Sequence, residues 1–166
     1  MPRNLRLANV IRKVRGTCAV LFKAKWLKGS EVPDGAIEVD DGIFIARGCV
    51  NREQIPGKYV SKYGTCYVSY DGKEHELSDC EILCDTCIPS GGCCYEWRDD
   101  CGGSVPKNAI AAGMASDGEP LFICRAKVNG EKCVGKVHNG HDCAYLPYGG
   151  KEHSVEEYKV LCLRKH

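Results

Sequence analysis

Short apolar segments, each closed off by glycine- or proline-bearing turns, recur along the chain and predict β-strands near 36–39, 43–50, 66–70 and 80–84, with equivalents further on. The N-terminal stretch has a different rhythm. Leu7, Val10, Ile11 and Val14 fall on one helical face with Arg6, Arg12, Lys13 and Arg15 around it, so a short amphipathic helix is expected there. The longest uninterrupted apolar run, Cys18 to Phe22, is too short for a membrane-spanning helix or a signal-peptide core. A length of 166 residues suits one ordinary domain, or two very small ones that share a core. With 19 glycines and 7 prolines, a helical bundle is disfavoured and a β-rich fold expected.

The strand pattern repeats. Sliding the sequence by 78 residues aligns 43–84 with 121–162 without a gap and with 16 identities in 42 positions, among them Phe44/Phe122, Arg47/Arg125, Glu53/Glu131, Gly57/Gly135, Lys58/Lys136, Tyr67/Tyr145 and Tyr70/Tyr148. Gly-Lys-Glu-His stands at 72–75 and again at 150–153. Upstream the offset falls to 73, where Val32-Pro33-x-x-Ala36-Ile37 matches Val105-Pro106-x-x-Ala109-Ile110, so the second copy holds five extra residues before its Leu-Phe-Ile strand. Trp26 and Trp97 open the two copies. The chain divides into a basic extension (1–25), a first repeat (26–84), a cysteine-rich linker (85–96) and a second repeat (97–166). Each repeat is too small to bury much apolar surface alone, which predicts a shared core and exchanged strands.

These blocks resemble the DM9 repeat. The resemblance rests on Val105-Pro106-x-x-Ala109-Ile110, Ser116-Asp117-Gly118-Glu119-Pro120-Leu121-Phe122, Gly135-Lys136-Val137-His138 and Tyr148-Gly149-Gly150-Lys151-Glu152-His153, with their counterparts in the first copy. It implies a mostly β fold of two tandem, intertwined repeats related by a pseudo-twofold axis. It also implies the function of the family's mannose-specific bivalve lectins, flatworm tegument proteins and lectin-like natterin modules: a carbohydrate-binding protein recognising mannose-type glycans, in pathogen recognition or at a host–parasite surface. One sugar site per repeat is implied, built from the lysine of a Pro-Gly-Lys turn, Lys58 or Lys136, and an acidic loop residue. For the first repeat that carboxylate is Glu38, Asp40 or Asp41; for the second it is Asp117, where Ala115 replaces a first aspartate. The first site is therefore expected to be the stronger. Tyr59, Tyr70 and Tyr148 are expected stacking partners for a sugar ring, and Glu53 and Glu131 are expected to pair with the lysines. The Gly-Lys-Glu-His blocks are read as structural, tying loops together through Glu74, His75, Glu152 and His153.

Charge adds one feature. Eight of the 23 basic residues precede the first acidic one, Glu31, and the remaining 15 share the rest of the chain with 22 acidic residues. A basic arm thus adjoins an acidic body. It is read as a solvated extension, with anionic lipid, RNA or a mitochondrial presequence as the other readings. The body lacks a basic face with interleaved aromatics, and no specific nucleic-acid binding is expected. No Walker or Rossmann spacing and no nucleophile elbow appears, so catalysis is not expected, nor a cofactor. The 13 cysteines are an odd number, read as mostly reduced and buried in a cytoplasmic or vesicle-associated protein, released if at all by a route without a signal sequence. Cys84, Cys87, Cys93, Cys94 and Cys101 form the alternative to a lectin, as thiols, a disulfide or a zinc site in a protein-interaction module. A homodimer would multiply weak sugar sites.

Overall fold

The computed structural model describes residues 24–28, 31–85 and 94–164, all of it strand, bridge, turn or loop. The amphipathic helix and nearly all of the basic arm expected at 1–25 lie outside the described residues, as do Cys87 and Cys93 of the linker. No helix among the described residues is long and apolar enough to cross a membrane.

Fourteen strands follow one another: β1 (Ala24–Lys28), β2 (Glu38–Asp40), β3 (Ile43–Val50), β4 (Glu53–Val60), β5 (Thr65–Tyr70), β6 (Lys73–Leu77), β7 (Cys80–Asp85), β8 (Tyr95–Cys101), β9 (Ala111–Met114), β10 (Pro120–Val128), β11 (Glu131–His138), β12 (Ala144–Tyr148), β13 (Lys151–Val155) and β14 (Glu157–Leu163). Tight hairpins join them. Asn51 and Asn129 take positive φ at the β3–β4 and β10–β11 turns, with φ of 52° and 51°, a conformation asparagine tolerates better than most residues. The chain folds into a closed β-barrel. Hydrogen bonding runs from β4 through β5, β6, β13, β12, β11 and β10, and β9 closes the ring by pairing with both β10 and β4. Strands β3, β7 and β1 continue the sheet from β4, while β14 and β8 extend it from β10.

Strict alternation of buried and exposed side chains holds on few strands. β4 and β11 read as nearly continuous buried segments, because each is flanked on both edges and covered on both faces. Three apolar clusters form the core. One gathers Ala46, Ile55, Tyr59, Val68 and Ile82, and a second Val128, Val137, Leu146, Tyr158 and Val160. The third joins Ile37, Val39, Ile45 and Leu83 to Ala112, Ile123, Val134 and Leu161, so residues before and after the linker bury one another.

Six described cysteines, Cys66, Cys80, Cys84, Cys124, Cys133 and Cys162, are buried, whereas Cys49 and Cys101 are exposed. Burial pushes the Cys133 and Cys162 thiols up to about 11, so both stay protonated and unreactive at neutral pH. Alkylation of the folded protein at neutral pH, followed by peptide mapping, is expected to mark Cys49 and Cys101 and to spare the six buried thiols until denaturant is added. Stoichiometric labelling of any of the six in the native protein would contradict the packing.

Candidate functional site

The site begins with two glycines inside strands. Gly57 and Gly135 were expected to open an exposed turn; instead they lie in the middle of β4 and β11, at ordinary strand φ. Their function is close approach. A Cβ at Gly57 would stand 2.1 Å from the Tyr67 carbonyl oxygen, and one at Gly135 would stand 2.2 Å from that of Tyr145. The residues that follow, Lys58 and Lys136, pair in register with Tyr67 and Tyr145 and are buried, each only 8% exposed. They are not solvated turn lysines.

A buried ammonium needs partners, and each lysine finds a carbonyl across the linker and a carboxylate within its own repeat. Lys58 Nζ donates to the Pro147 carbonyl at 2.6 Å and faces Glu74 Oε2 at 3.4 Å; Lys136 Nζ donates to the Ser69 carbonyl at 2.7 Å and faces Glu152 Oε2 at 3.5 Å. Pro147 and Ser69 are themselves 78 residues apart, so the two arrangements are reciprocal. Tyrosine rings flank each ammonium: Tyr67 and Tyr148 at 5.6 and 5.2 Å from Lys58, Tyr70 and Tyr145 at 5.6 and 5.8 Å from Lys136.

The Gly-Lys-Glu-His blocks hold this geometry and also take part in it. Glu74 Oε1 accepts from the Gly150 amide and Glu152 Oε1 from the Gly72 amide, locking the two hairpin tips together. His75 and His153 contact the carbonyls of Tyr70 and Tyr148. The second oxygen of each glutamate, Oε2, is buried beside its lysine without hydrogen-bond geometry to any partner. An acceptor taken from water without hydrogen-bond geometry is costly, and the ammonium facing each Oε2 offsets part of that cost.

The Lys136 arrangement opens on a cleft. A cavity of about 370 Å³ is lined by Lys136, Glu152, Tyr70, Tyr145, Glu53 and Asp117, with His138 and His141 at its side. Asp117 is exposed on the rim. The Glu119 amide, and then His138 Nε2 at 3.0 Å, hold its carboxyl below the usual range. His141 lies 4.2 Å from His138 between ring centres and contacts the Tyr145 hydroxyl at 3.0 Å. Burial pushes the Tyr145 phenol up to about 12. At Lys58 the ammonium instead meets the Cys133 sulfur at 3.6 Å. The residue aligned with Cys133 in the other half is Ile55, which offers Lys136 no polar atom.

Several expectations are thereby corrected. Neither Glu38, Asp40 nor Asp41 partners Lys58: Glu38 Oε1 accepts from the Gly42 amide across its own turn, Asp40 faces Lys132 at 3.7 Å, and Asp41 is exposed with its amide on Asp40. The carboxylates beside the lysines are Glu74 and Glu152, some 16 residues further along the chain and reached only through the β5–β6 and β12–β13 hairpins. Glu53 does not pair with Lys58; it accepts from the Ser116 amide and lines the Lys136 cavity. Ala115, which stands in place of the first aspartate of the pair, is buried in the first core cluster, and the cavity forms despite it. A cleft accompanies Lys136, in the second repeat. Of the tyrosines, Tyr70 and Tyr148 flank the ammonium groups while Tyr59 is buried in the core.

Among the described residues no group of three or more His, Cys, Asp or Glu side chains is arranged to hold a metal ion. Cys84 is buried at the end of β7, Cys101 is exposed at the end of β8, and Cys94 is disulfide-bonded.

The DM9 repeat family model matches residues 38–155. Natterin-3 of Thalassophryne nattereri is 30% identical over 143 residues, which cover 82% of this chain and 35% of that protein. Natterin-4 of the same fish is 27% identical, covering 82% and 33%. The chain thus spans about a third of the length of these curated relatives. Among solved structures, that of the nematode sperm cell motility protein MFP2B superposes with a TM-score of 0.58 at 16% identity, covering 86% of this chain and 45% of that one. That likeness concerns the fold alone.

Proposed function

Because this chain belongs to the DM9 repeat family, we propose that it is a carbohydrate-binding protein whose principal glycan site is the Lys136 cleft. The observation that carries the reading is the buried Lys136–Glu152 pair beside a cleft of about 370 Å³. Adjacent pyranose hydroxyls donate and accept at fixed spacing. The Glu152 carboxylate accepts from one hydroxyl while Lys136 Nζ donates to the oxygen of its neighbour, both charge-assisted. Tyr70 and Tyr145 offer ring surface to the apolar face of the sugar, and Asp117 on the rim accepts from a hydroxyl further out. Mannose-type glycans are the class we assign, with no metal in the contact and no catalytic step.

The Lys58–Glu74 pair is the second site. Its ammonium already meets Cys133, so it has less donor capacity for a sugar and binds more weakly. Two weak sites on one chain gain affinity for multivalent surfaces through effective concentration, which suits recognition of microbial or host glycans.

A glycan array probed with the full chain under reducing conditions, with and without EDTA, tests the assignment. Binding to mannose-type glycans that EDTA leaves unchanged is expected. Binding to no glycan, or binding that EDTA abolishes, would overturn it.

A further inference from the structure

The first core cluster holds two cysteines that neither lysine site uses, Cys66 on β5 and Cys80 at the start of β7. In the sheet, β4 and β3 stand between those strands, yet the fold brings the two thiols side by side. Cys66 pairs across the β5–β6 hairpin with Leu77, whose side chain folds over Gly48: a Cβ on that glycine would stand 2.4 Å from Leu77 Cδ1. Gly48 in turn pairs with Cys80. A glycine at 48 leaves room for the hairpin to curl back in this way. Residues paired across antiparallel strands share a face, so the Leu77–Gly48 contact carries Cys66 to Cys80, and the two thiols hydrogen-bond to each other.

The pair belongs to one half of the chain. The residues aligned with Cys66 and Cys80 are Ala144 and Tyr158, which are buried together in the second core cluster. That core closes around a small and a large side chain without sulfur at these positions, so packing alone does not call for two thiols. Other buried cysteines stand in different surroundings. Cys84 and Cys162 recur at one position in both halves, each thiol 3.7 or 3.5 Å from a carbonyl of its own strand. Cys124 and Cys133 share the second cluster, but burial pushes both thiols up, Cys133 to about 11, and neither supplies a thiolate at neutral pH. Cys80 differs. The hydrogen bond with Cys66 holds it below the ordinary thiol range although burial opposes this, and the same bond, together with burial, raises Cys66. Cys66 is therefore the donor, and Cys80 the thiol that ionises first.

We infer that Cys66 and Cys80 form a peroxide-oxidisable dithiol, which closes to a disulfide and staples the base of the β5–β6 hairpin. The Cys80 thiolate attacks one oxygen of hydrogen peroxide, the O–O bond breaks, and the hydroxide that leaves takes up the proton Cys80 has lost. Cys80 is then a sulfenic acid. The Cys66 sulfur attacks the Cys80 sulfur, the S–O bond breaks, and the hydroxyl leaves as water with the Cys66 proton. Two thiols and one peroxide thus give one disulfide and two waters, both sulfurs being oxidised and both peroxide oxygens reduced. The oxidant must be small, because Cys66 is fully buried and Cys80 only 4% exposed. The new bond closes the loop 66–80, which carries Glu74 at the hairpin tip. This site does not depend on glycan binding at the lysines.

The test uses the full chain, reduced, treated with hydrogen peroxide, quenched, denatured, alkylated and mapped by mass. A Cys66–Cys80 cross-link that dithiothreitol reverses is expected, with Cys124, Cys133 and Cys162 still open to alkylation after denaturation. Closing a loop of about 15 residues should raise the melting temperature by about 5 °C or more. Cys66→Ala introduces the residue found at the aligned position of the second half. Lacking the resolving thiol, it should leave Cys80 as a sulfenic acid that dimedone captures. Cys80→Ser should give neither a cross-link nor a dimedone adduct at Cys66. The inference is overturned if both thiols of the peroxide-treated parent are alkylated after denaturation, if the cross-link joins Cys124 to Cys133 instead, or if the cross-linked protein melts with the reduced one. Dimedone marking Cys66 in Cys80→Ser as strongly as Cys80 in Cys66→Ala would overturn the assigned roles as well.

Discussion

Gly135→Ala is expected to destabilise the protein by about 3 kcal/mol, and Gly57→Ala by a similar amount, at the upper end of what overpacking a core costs. The reason is the neighbour that the new methyl meets. At Gly135 it is the Tyr145 carbonyl oxygen at 2.2 Å and the Leu146 Cα at 2.9 Å; at Gly57 it is the Tyr67 carbonyl oxygen at 2.1 Å. Backbone in a paired strand cannot swing aside as a long side chain does, so β12 or β5 must move off its partner. For a domain of this size the loss corresponds to roughly 10 °C in melting temperature. Gly118→Ala is the control, because a Cβ there meets nothing within 4 Å and the cost is limited to the positive φ, about 1 kcal/mol. Thermal melts of the three variants decide the point. Equal effects at Gly135 and Gly118 would mean that conformation, and not close approach, is what the glycine serves.

Lys136→Met is expected to cost about 3 kcal/mol of stability, because removing one member of a buried ion pair strands the other. Glu152 keeps the Gly72 amide on Oε1 but loses the ammonium beside Oε2, and the Ser69 carbonyl loses the Lys136 donor. The double variant Lys136→Met/Glu152→Gln should recover a large part of that loss, since the stranded charge is then gone. Denaturant titrations of the single and double variants measure it. If the double variant is less stable than Lys136→Met by as much as Glu152→Gln alone is less stable than the parent, the two residues act independently and the pairing has no energetic content.

Strands β3, β5 and β7 were legible because each is a compact apolar run bounded by turn residues, and the offset of 78 carried those assignments into the second half. The strand β4 was not, because Pro56-Gly57 is also the signature of a turn. A glycine needed for positive φ and one needed for close approach look alike in one dimension. That single ambiguity turned Lys58 and Lys136 from buried ion-pair members into solvated tips. It also hid their partners, since Glu74 and Glu152 reach the lysines only once the β5–β6 and β12–β13 hairpins meet tip to tip. The choice of Lys58 and Lys136 themselves needed no geometry, because the same residue recurs in both copies and the family resemblance points to it. What recurrence could not show is where the copies differ. Ala115 looked like a missing ligand and is a core residue, whereas Cys133, aligned with Ile55, alters the polar surroundings of Lys58.

The most direct test of the glycan site is calorimetric titration of a mannose oligosaccharide into three full-length proteins: the parent, Lys136→Met/Glu152→Gln, and Lys58→Met/Glu74→Gln. Paired substitutions keep each site free of a stranded charge, and protection of the buried thiols confirms that each variant is folded. The Lys136 variant is predicted to lose about tenfold or more in affinity, the loss of charge-assisted hydrogen bonds to the sugar, and the Lys58 variant distinctly less. Parent-like affinity in a folded Lys136→Met/Glu152→Gln protein would contradict the assignment.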